Sequence, residues 1–326
     1  MRRNPSSDEF IELFFGEGGL LSRFLPSYEC RLDQKAMALE AMRSYEREGI
    51  ALIEAGTGTG KSLAYLVPAI YWAMTRGEVS VISTHTIALQ EQLFFKDIPF
   101  LLKVLDVEIE VQLVKGMNNY LCLKKMGEAE LESYQLTDRE QQQFFQVKHW
   151  AQTTREGSQS EIDFPLHSSL WSRVSADHFT CTHSQCPSFK RCYFYKARKK
   201  LSEGKILIVN HYLLLSDIAY RIKNRQNEEK SILPKFSRIV IDEAHHLEDI
   251  ALETFSTVID RLELSRLLGK LYSEHHPEKS RCMVILKEFA EIGNDSSLLR
   301  AALSTDLPGE KRALLSMIEE FFKQLE

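Results

Sequence analysis

The chain has 326 residues, which is enough for about two domains of ordinary size. Its hydrophobic content of 44% is typical of a folded protein, and the absence of a long apolar run excludes a membrane span. Acidic residues follow the first methionine closely where a signal peptide would be apolar, so we expect no secretion signal and a cytoplasmic location. The net charge of −5 argues against a protein that is basic overall, but it permits a local groove for nucleic acid.

Short runs of β-branched residues alternate with helical patterns along most of the chain. Five of these runs predict strands: Ile50–Glu54, Val79–Thr84, Ile109–Val114, Ile206–Val209 and Arg238–Asp242. Ile206–Val209, and Ile239–Ile241 within the last run, are apolar throughout, as expected of strands that are buried on both faces of a sheet. The alternation predicts an α/β fold in which helices flank a parallel sheet.

Residues 116–200 interrupt this alternation and carry four of the six cysteines. They include a polar helix whose start, Thr137 to Glu140, has the sequence of a capping box. We therefore predict one nucleotide-binding domain built from residues 1–115 and 201–250, with residues 116–200 inserted between two of its strands. Residues 251–326 show leucines at helical spacing and no strand signal, so they are predicted to form a helical segment.

A glycine-rich loop follows the first predicted strand and precedes a predicted helix. Its residues are Ala55, Gly56, Thr57, Gly58, Thr59, Gly60, Lys61 and Ser62. This order matches the Walker A pattern, in which small residues let backbone N–H groups surround phosphates at the amino terminus of a helix. Lys61 is expected to bind the β- and γ-phosphates of ATP, and the Ser62 hydroxyl is expected to bind Mg²⁺. The loop predicts a P-loop NTPase.

Two carboxylates, Asp242 and Glu243, end the last predicted strand. In P-loop NTPases, the first acid of such a pair holds Mg²⁺ and the second can orient the attacking water. We therefore predict that Lys61, Asp242 and Glu243 are the catalytic residues of an ATP hydrolase. His245, which follows the pair, either couples the nucleotide site to a nucleic-acid site or is structural.

Four cysteines form a candidate metal site. Cys181, Cys186 and Cys192 lie within twelve residues, and Cys122 lies upstream of them. Four thiolates can hold an iron–sulfur cluster or a zinc ion. The paired cysteine knuckles that zinc sites prefer are absent from this sequence, so the spacing favours iron–sulfur. His183 could replace one thiolate at a zinc ion, and that alternative stays open.

The sequence beside the last of these cysteines is rich in basic and aromatic residues, including Lys190, Arg191 and Tyr193. Rings that stack on bases and cations that neutralise phosphates are typical of a site for single-stranded DNA. A solvated helix face would give a similar run of charge. Both interpretations therefore stay open.

Several further segments occur in the order of motifs of a known family. They are Phe15–Leu20, Tyr28–Gln34, Ser83–Leu93, Gly116–Cys122 and Val209–Leu214. Together with the Walker A loop, the sequence Asp242–His245 and the four cysteines, they resemble the DinG/XPD family of superfamily 2 DNA helicases, and the bacterial DinG/YoaA branch most closely. This resemblance implies a RecA-like domain with an inserted iron–sulfur domain, followed by the helical start of an arch-like domain.

The resemblance also implies functions for particular residues. Arg31 and Gln34 would recognise adenine. Thr84, His85 and Gln90 would line the path of the DNA strand. The four cysteines would hold a 4Fe–4S cluster. Members of the family hydrolyse ATP to move 5′ to 3′ on single-stranded or forked DNA, so we expect ATP, Mg²⁺ and the cluster as cofactors.

A helicase of this type needs a second RecA-like domain, which supplies arginines to the γ-phosphate and moves relative to the first domain. No segment after Asp249 resembles that domain, nor the strands of the first domain that normally return after the arch. We therefore expect a chain that is incomplete as a motor: a truncated gene product, an excised piece, or one half of a split gene whose second RecA-like domain is encoded separately. The alternatives are an ATP- and DNA-binding or redox-sensing remnant without helicase activity, and a zinc-binding P-loop ATPase.

Overall fold

The computed structural model describes residues 6–25, 28–56, 58–131, 137–223, 231–256 and 306–325, with a few isolated positions between 261 and 283. Thr57 of the glycine-rich loop and most of the predicted helical segment 251–326 lie outside the described residues. The chain divides into two compact units, Met1–Phe255 and Ser256–Glu326. The second unit contributes one long described helix, Leu307–Leu325.

Four parallel strands form one sheet in the first unit. They are β1 (Ser80–Thr84), β2 (Val111–Leu113), β3 (Ile206–Asn210) and β4 (Arg238–Ile241). The order across the sheet is β2–β3–β1–β4, and Ser80 of β1 lies opposite both Ile206 of β3 and Arg238 of β4. The predicted parallel sheet is therefore confirmed, and it fits a RecA-like domain.

Helices connect and cover these strands. Before β1 they are α1 (Ser7–Phe15), α2 (Leu20–Phe24), α3 (Leu32–Arg47) and α4 (Lys61–Arg76). Between β1 and β2 lie α5 (Ile87–Gln92), a π-helical turn (Leu93–Asp97) and α6 (Ile98–Leu105). Between β2 and β3 lie α7 (Leu123–Leu131), α8 (Asp138–Thr153), α9 (Ser168–Val174) and α10 (Tyr193–Lys200). The remaining helices are α11 (His211–Lys223), α12 (Leu247–Phe255) and α13 (Leu307–Leu325). Within the described part of the chain, no helix combines the length and the apolar character that crossing a membrane requires.

The central strands are buried on both faces of the sheet. Successive side chains of a strand point to opposite sides, and each side is covered by its own hydrophobic cluster. On one side, Ile82 packs in a cluster with Leu66 and Ile70 of α4. On the other side, Val81 packs in a second cluster with Leu214 of α11. This double burial accounts for the apolar sequence of these strands.

The predicted strand Ile50–Glu54 is wrong. The segment pairs with none of the described strands, and the side chains of Ile50 and Leu52 are fully exposed. A β-strand needs a neighbour that satisfies its backbone N–H and C=O groups, and the described residues supply none for this segment. β4 likewise pairs with β1 alone among the described strands, and its Ile239 is 40% exposed. The expectation that β4 is buried on both faces is therefore also wrong.

The region between β2 and β3 folds around its own hydrophobic cluster, and we call residues 116–200 the inserted lobe. The buried members of this cluster are Leu121, Ala129, Phe144, Val147, Trp150, Leu170, Trp171 and Val174. The predicted capping box is confirmed, because Thr137 caps α8 and the Glu140 side chain accepts from the Thr137 backbone N–H. The inserted lobe thus has local signals and a core of its own.

A buried lysine connects the inserted lobe to the sheet. Lys115 follows β2, and its side chain is only 4% exposed. Its ammonium group donates to Glu91 of α5 at 2.6 Å, and to the hydroxyls of Ser158 and Ser160 in the lobe at 3.1 and 2.6 Å. The three N–H donors of Lys115 therefore have three acceptors, as a buried charge requires.

Candidate functional site

Two side chains at the start of α3 hold the glycine-rich loop. Gly58 and Gly60 have φ angles of +80° and +82°, which glycine adopts without strain. The Gln34 amide donates to the carbonyl of Gly60 at 3.0 Å, and the Arg31 guanidinium donates to the carbonyl of Gly58. Arg31 and Gln34 therefore fix the conformation of the loop in this structure, and adenine recognition by them stays a prediction.

The first residue of α4 contacts the acid pair. Lys61 begins the helix, and its Nζ lies 3.2 Å from Oε1 of Glu243. The two side chains are 28% and 32% exposed, and ion pairs that water can reach are weak. Phosphate oxygens can therefore replace the carboxylate at Lys61.

Asp242 lies in a cluster of oxygen atoms beside α4. The Tyr65 hydroxyl donates to Oδ2 of Asp242 at 3.1 Å and also hydrogen-bonds with Ser62. Burial raises the pKa of Asp242, the Tyr65 hydrogen bond lowers it, and the nearby charge of Glu243 raises it. Carboxylate and hydroxyl oxygens are the ligands that Mg²⁺ prefers, so Ser62 and Asp242 form a donor set that suits this ion.

The ends of neighbouring strands place the acid pair. The backbone N–H of Asp242 donates to the carbonyl of Ser83 at 2.8 Å, which continues the pairing of β4 with β1. Glu243 then adopts a left-handed conformation with φ of +53°, which is uncommon for a residue other than glycine. His245 is largely exposed, and its Nδ1 lies 3.5 Å from Oε2 of Glu243. The end of the glycine-rich loop and the acid pair therefore meet at the carboxyl ends of the strands.

Tyr65 belongs to this site, although the sequence did not single it out. Its side chain is almost fully buried within an apolar helix, where a tyrosine is normally part of the core. One signal was available, because residues three apart on a helix lie on the same face. Tyr65 is three residues after Ser62, so the two hydroxyls can reach the same acid.

The four predicted ligand cysteines lie near one another in the inserted lobe, and each is partly buried. Burial raises the pKa of Cys122, and the charges of Cys192 and Cys186 raise it further. The Tyr195 hydroxyl hydrogen-bonds with Cys181. Burial, together with Cys181 and Cys192, raises the pKa of Tyr195 to about 12. All four thiols therefore share one neighbourhood.

These thiols do not form a preassembled metal site. In the parts of the chain that the structure describes, no three histidine, cysteine or acidic side chains converge closely enough to hold one metal ion. Tetrahedral zinc would require sulfur atoms at about 2.3 Å from a common centre. The candidate zinc ligand His183 is instead hydrogen-bonded to the Tyr195 hydroxyl.

The basic and aromatic segment contains both accessible cations and packed rings. Lys190 and Arg191 are exposed. The Tyr193 ring lies against Gly157, where any side chain would collide with it, and the Tyr193 hydroxyl donates to the carbonyl of Ala151 at 3.2 Å. Tyr193 thus holds the inserted lobe together, whereas the two cations can reach a ligand.

The β1–α5 segment carries three residues that were predicted to line the DNA path. Thr84 and Gln90 are fully buried, and the Gln90 amide donates to the carbonyls of Val114 and Ile208, both at 3.2 Å. His85 is partly exposed. Of these three, only His85 has surface that a DNA strand could contact.

Known proteins share the sequence that builds these sites. Residues 174–264 match the family model DEAD_2. The chain is 32% identical to the ATP-dependent DNA helicase YoaA of Escherichia coli over 251 residues. These residues are 77% of this chain and 38% of that protein. The chain belongs to the DinG/YoaA family. This DinG-family chain is also 29% identical over 290 residues to YoaA of Haemophilus influenzae, covering 89% of the chain and 43% of that protein.

A third relative carries the other name of the family. The ATP-dependent helicase DinG of Mycobacterium tuberculosis is 33% identical over 237 residues, which cover 67% of this chain and 34% of that protein. The DinG-family chain therefore spans about two fifths or less of the length of these curated relatives.

Proposed function

We propose that this chain is the nucleotide- and DNA-binding part of an ATP-dependent DNA helicase that moves 5′ to 3′ along single-stranded DNA. One observation carries the proposal. Where β4 ends, Lys61 contacts Glu243, and Tyr65 in the next turn of the helix contacts Asp242. The relatives named above are called ATP-dependent helicases, which agrees with this site. The remaining length of those relatives leaves room for a second RecA-like domain, on the same chain or on a separate one.

Each residue of the pocket has a role in this reaction. Lys61 exchanges Glu243 for the phosphate oxygens of ATP. Ser62 and Asp242 hold Mg²⁺, which neutralises phosphate charge when it is bound. Glu243, released from Lys61, is then free to orient the attacking water. Arg31 and Gln34 keep the loop open toward the phosphates.

We assign the metal of the inserted lobe to a 4Fe–4S cluster held by Cys122, Cys181, Cys186 and Cys192. The fit rests on four partly buried thiols that influence one another electrostatically. A cluster distributes its four thiolates over several irons, so it suits thiols that are too far apart for one ion. When bound, it would cross-link the start of α7 to the turns between Cys181 and Cys192.

DNA contacts in this proposal come from His85, Lys190 and Arg191, which have accessible surface. Thr84 and Gln90 act indirectly, because they are buried and support the β1–α5 segment. Single-stranded or forked DNA is the expected partner.

A nucleotide titration tests the proposal. The purified chain is titrated with a fluorescent ATP analogue in the presence of Mg²⁺, as are Lys61→Ala and the control Lys103→Ala, which removes an exposed lysine of α6. Loss of one charge-assisted contact should weaken binding about tenfold or more in Lys61→Ala and leave the control unchanged. Equal affinities of all three proteins would refute the assignment of the pocket.

Metal analysis tests the cluster. Chain purified without oxygen should contain about four irons and show the broad visible absorption of an iron–sulfur protein. Cys186→Ser should lose the iron, whereas Cys30→Ser, outside the inserted lobe, should retain it. Stoichiometric zinc in the unmodified chain would show that the zinc-binding alternative is correct.

A further inference from the structure

Three histidines from three strand ends lie beside the acid pair. His211 follows β3, His85 follows β1, and His246 lies beyond β4. The ring centroids of His85 and His246 are 3.9 Å apart, and the ring of His211 is nearly parallel to His85, with centroids 6.4 Å apart. We call these three residues the histidine stack.

His211 is the buried end of the histidine stack. Its side chain is fully buried, and its Nδ1 lies 2.7 Å from the Ser83 hydroxyl. With the Ser83 hydroxyl as the donor to Nδ1, the ring proton is on Nε2, which is the tautomer that the proposal below requires. In the described structure, Nε2 is buried and has no hydrogen-bond partner. Buried donors are nearly always paired in working proteins, so this one marks a place where a rearrangement can form a bond.

Backbone groups of the acid pair lie close to this ring. Burial lowers the pKa of His211, and the backbone groups of Asp242 and Glu243 raise it, although neither makes a hydrogen bond of regular geometry with Nε2 in this structure. The Asp242 backbone is also tied to Ser83, the partner of Nδ1. His211 therefore lies between the strand that leads to His85 and the turn that carries the acids.

The turn at Glu243 is held in part by an ion pair with Lys61, which the proposed function opens. In this structure it has a left-handed conformation, and its carboxylate is paired with Lys61. In the proposed function, Lys61 must leave Glu243 to bind phosphate, so the ion pair opens whenever ATP binds. Opening the pair removes one restraint on a turn whose backbone lies beside the ring of His211.

We propose that His211 is a positioning residue that couples DNA binding at His85 to ATP binding at the acid pair. This inference rests on the proposed function. With ATP bound, Nε2–H of His211 donates to a carbonyl of the acid-pair turn, which holds Glu243 in place. His85, stacked above, is held in the orientation that contacts DNA. Because such coupling is reciprocal, DNA at His85 strengthens ATP binding by the same factor.

The test measures this factor directly. The affinity of the chain for a fluorescent ATP analogue with Mg²⁺ is determined with and without saturating oligodeoxythymidine. In the unmodified chain, DNA should tighten nucleotide binding about fivefold or more. His211→Phe keeps a ring but no donor, and the ratio of the two affinities should fall to near one. His211→Gln retains an amide donor and should restore part of the ratio, and His149→Phe, an exposed histidine of α8, should leave it unchanged.

A second measurement covers the case in which His211→Phe does not fold. In the unmodified chain, the ¹⁵N signal of His211 Nε2 should shift when a non-hydrolysable ATP analogue and Mg²⁺ bind. An unmoved signal, or a full ratio in a folded His211→Phe, would overturn the inference. If the unmodified chain binds both ligands but shows no coupling between them, the inference about His211 is wrong and the proposed function stands. If the chain does not bind ATP at all, both the proposed function and the inference are wrong.

Discussion

The nucleotide site and the cysteine site are assembled in different ways. The nucleotide site joins side chains that are up to 182 residues apart, and its Lys61–Glu243 and Tyr65–Asp242 contacts are present in this structure. The cysteine site takes three of its four thiols from a single run of short turns, and the described residues contain no preassembled metal site. Strand ends fix the positions of the acid pair in the first site, whereas the proposed cluster would set the final geometry of the second.

This difference follows from what surrounds each site. The acid pair ends a strand whose backbone is paired with β1, and α4 is packed on the sheet through its buried residues. The turns between Cys181 and Cys192 are 3₁₀ segments without buried residues. A metal that brings these thiolates together would therefore contribute directly to the stability of this region.

Removal of iron should show the largest difference between the two sites, because it should loosen the cysteine site and leave the nucleotide site nearly unchanged. After chelation, the amides between Cys181 and Cys192 should exchange hydrogen much faster, because the turns lose their cross-link. The affinity for the ATP analogue should change by less than about twofold, since strand pairing and not the cluster holds Lys61 and Glu243 in place. Hydrogen exchange with mass spectrometry and a nucleotide titration measure both. Loss of ATP binding together with the iron would show that the sites are one unit.

Lys115→Met should break the connection between the two regions. The substitution leaves Glu91 and two serine hydroxyls without their buried donor, and removing one partner of a buried pair costs about 3 kcal/mol of unfolding free energy. Lys124→Met removes a lysine from a more exposed pair with Glu128 and should cost less than about 0.5 kcal/mol. Denaturant unfolding measures the free energy of unfolding of both variants. If the two variants lose the same amount, Lys115 is not the residue that connects the two regions.

Gly60→Ala should disturb the nucleotide site alone. A side chain at this position would collide with the Gln34 amide, and the φ of +82° is strained for alanine, so we expect a loss of about 1–2 kcal/mol. Gly56→Ala adds the same methyl group to the same loop, but into open space. Gly56→Ala should therefore lower the free energy of unfolding by no more than about 0.5 kcal/mol. If Gly56→Ala were as costly as Gly60→Ala, the proposed support of the loop by Gln34 would be incorrect.

Asp242→Asn should stabilise the free chain slightly while it removes the metal ligand. The raised pKa of Asp242 means that this group contributes stability at acid pH, which is lost as the pH rises through its folded pKa. Asparagine removes the buried charge and can still accept from Tyr65, so the variant should be more stable by about 1 kcal/mol at pH 7. That gain should shrink as the pH is lowered through the raised pKa. Thermal melting across pH measures it, and a gain that is independent of pH would contradict this assignment.

The sequence predicted the parts of the fold that depend on local patterns. Val81, Ile82 and Ile206–Val209 are apolar because both faces of the sheet are covered at these strands, and the Thr137 cap depends on its neighbours in the sequence. Ile50–Glu54 was predicted incorrectly because a strand also requires a neighbour, which its own residues cannot specify.

The contacts that the sequence missed join distant residues. Tyr65 meets Asp242 across 177 positions, and His211 meets Ser83 across 128. Both residues lie next to apolar sequence, where local patterns indicate core. The burial of Gln90 was missed for a related reason, since its two acceptors lie in β3 and directly after β2, far from it in the sequence.

The most direct test of the central claim is a structure of this chain with a non-hydrolysable ATP analogue and Mg²⁺. Lys61 should have left Glu243 for the phosphates, and Ser62 and Asp242 should hold the magnesium ion at the same edge of the sheet. A nucleotide bound elsewhere, with the Lys61–Glu243 pair still closed, would contradict the account.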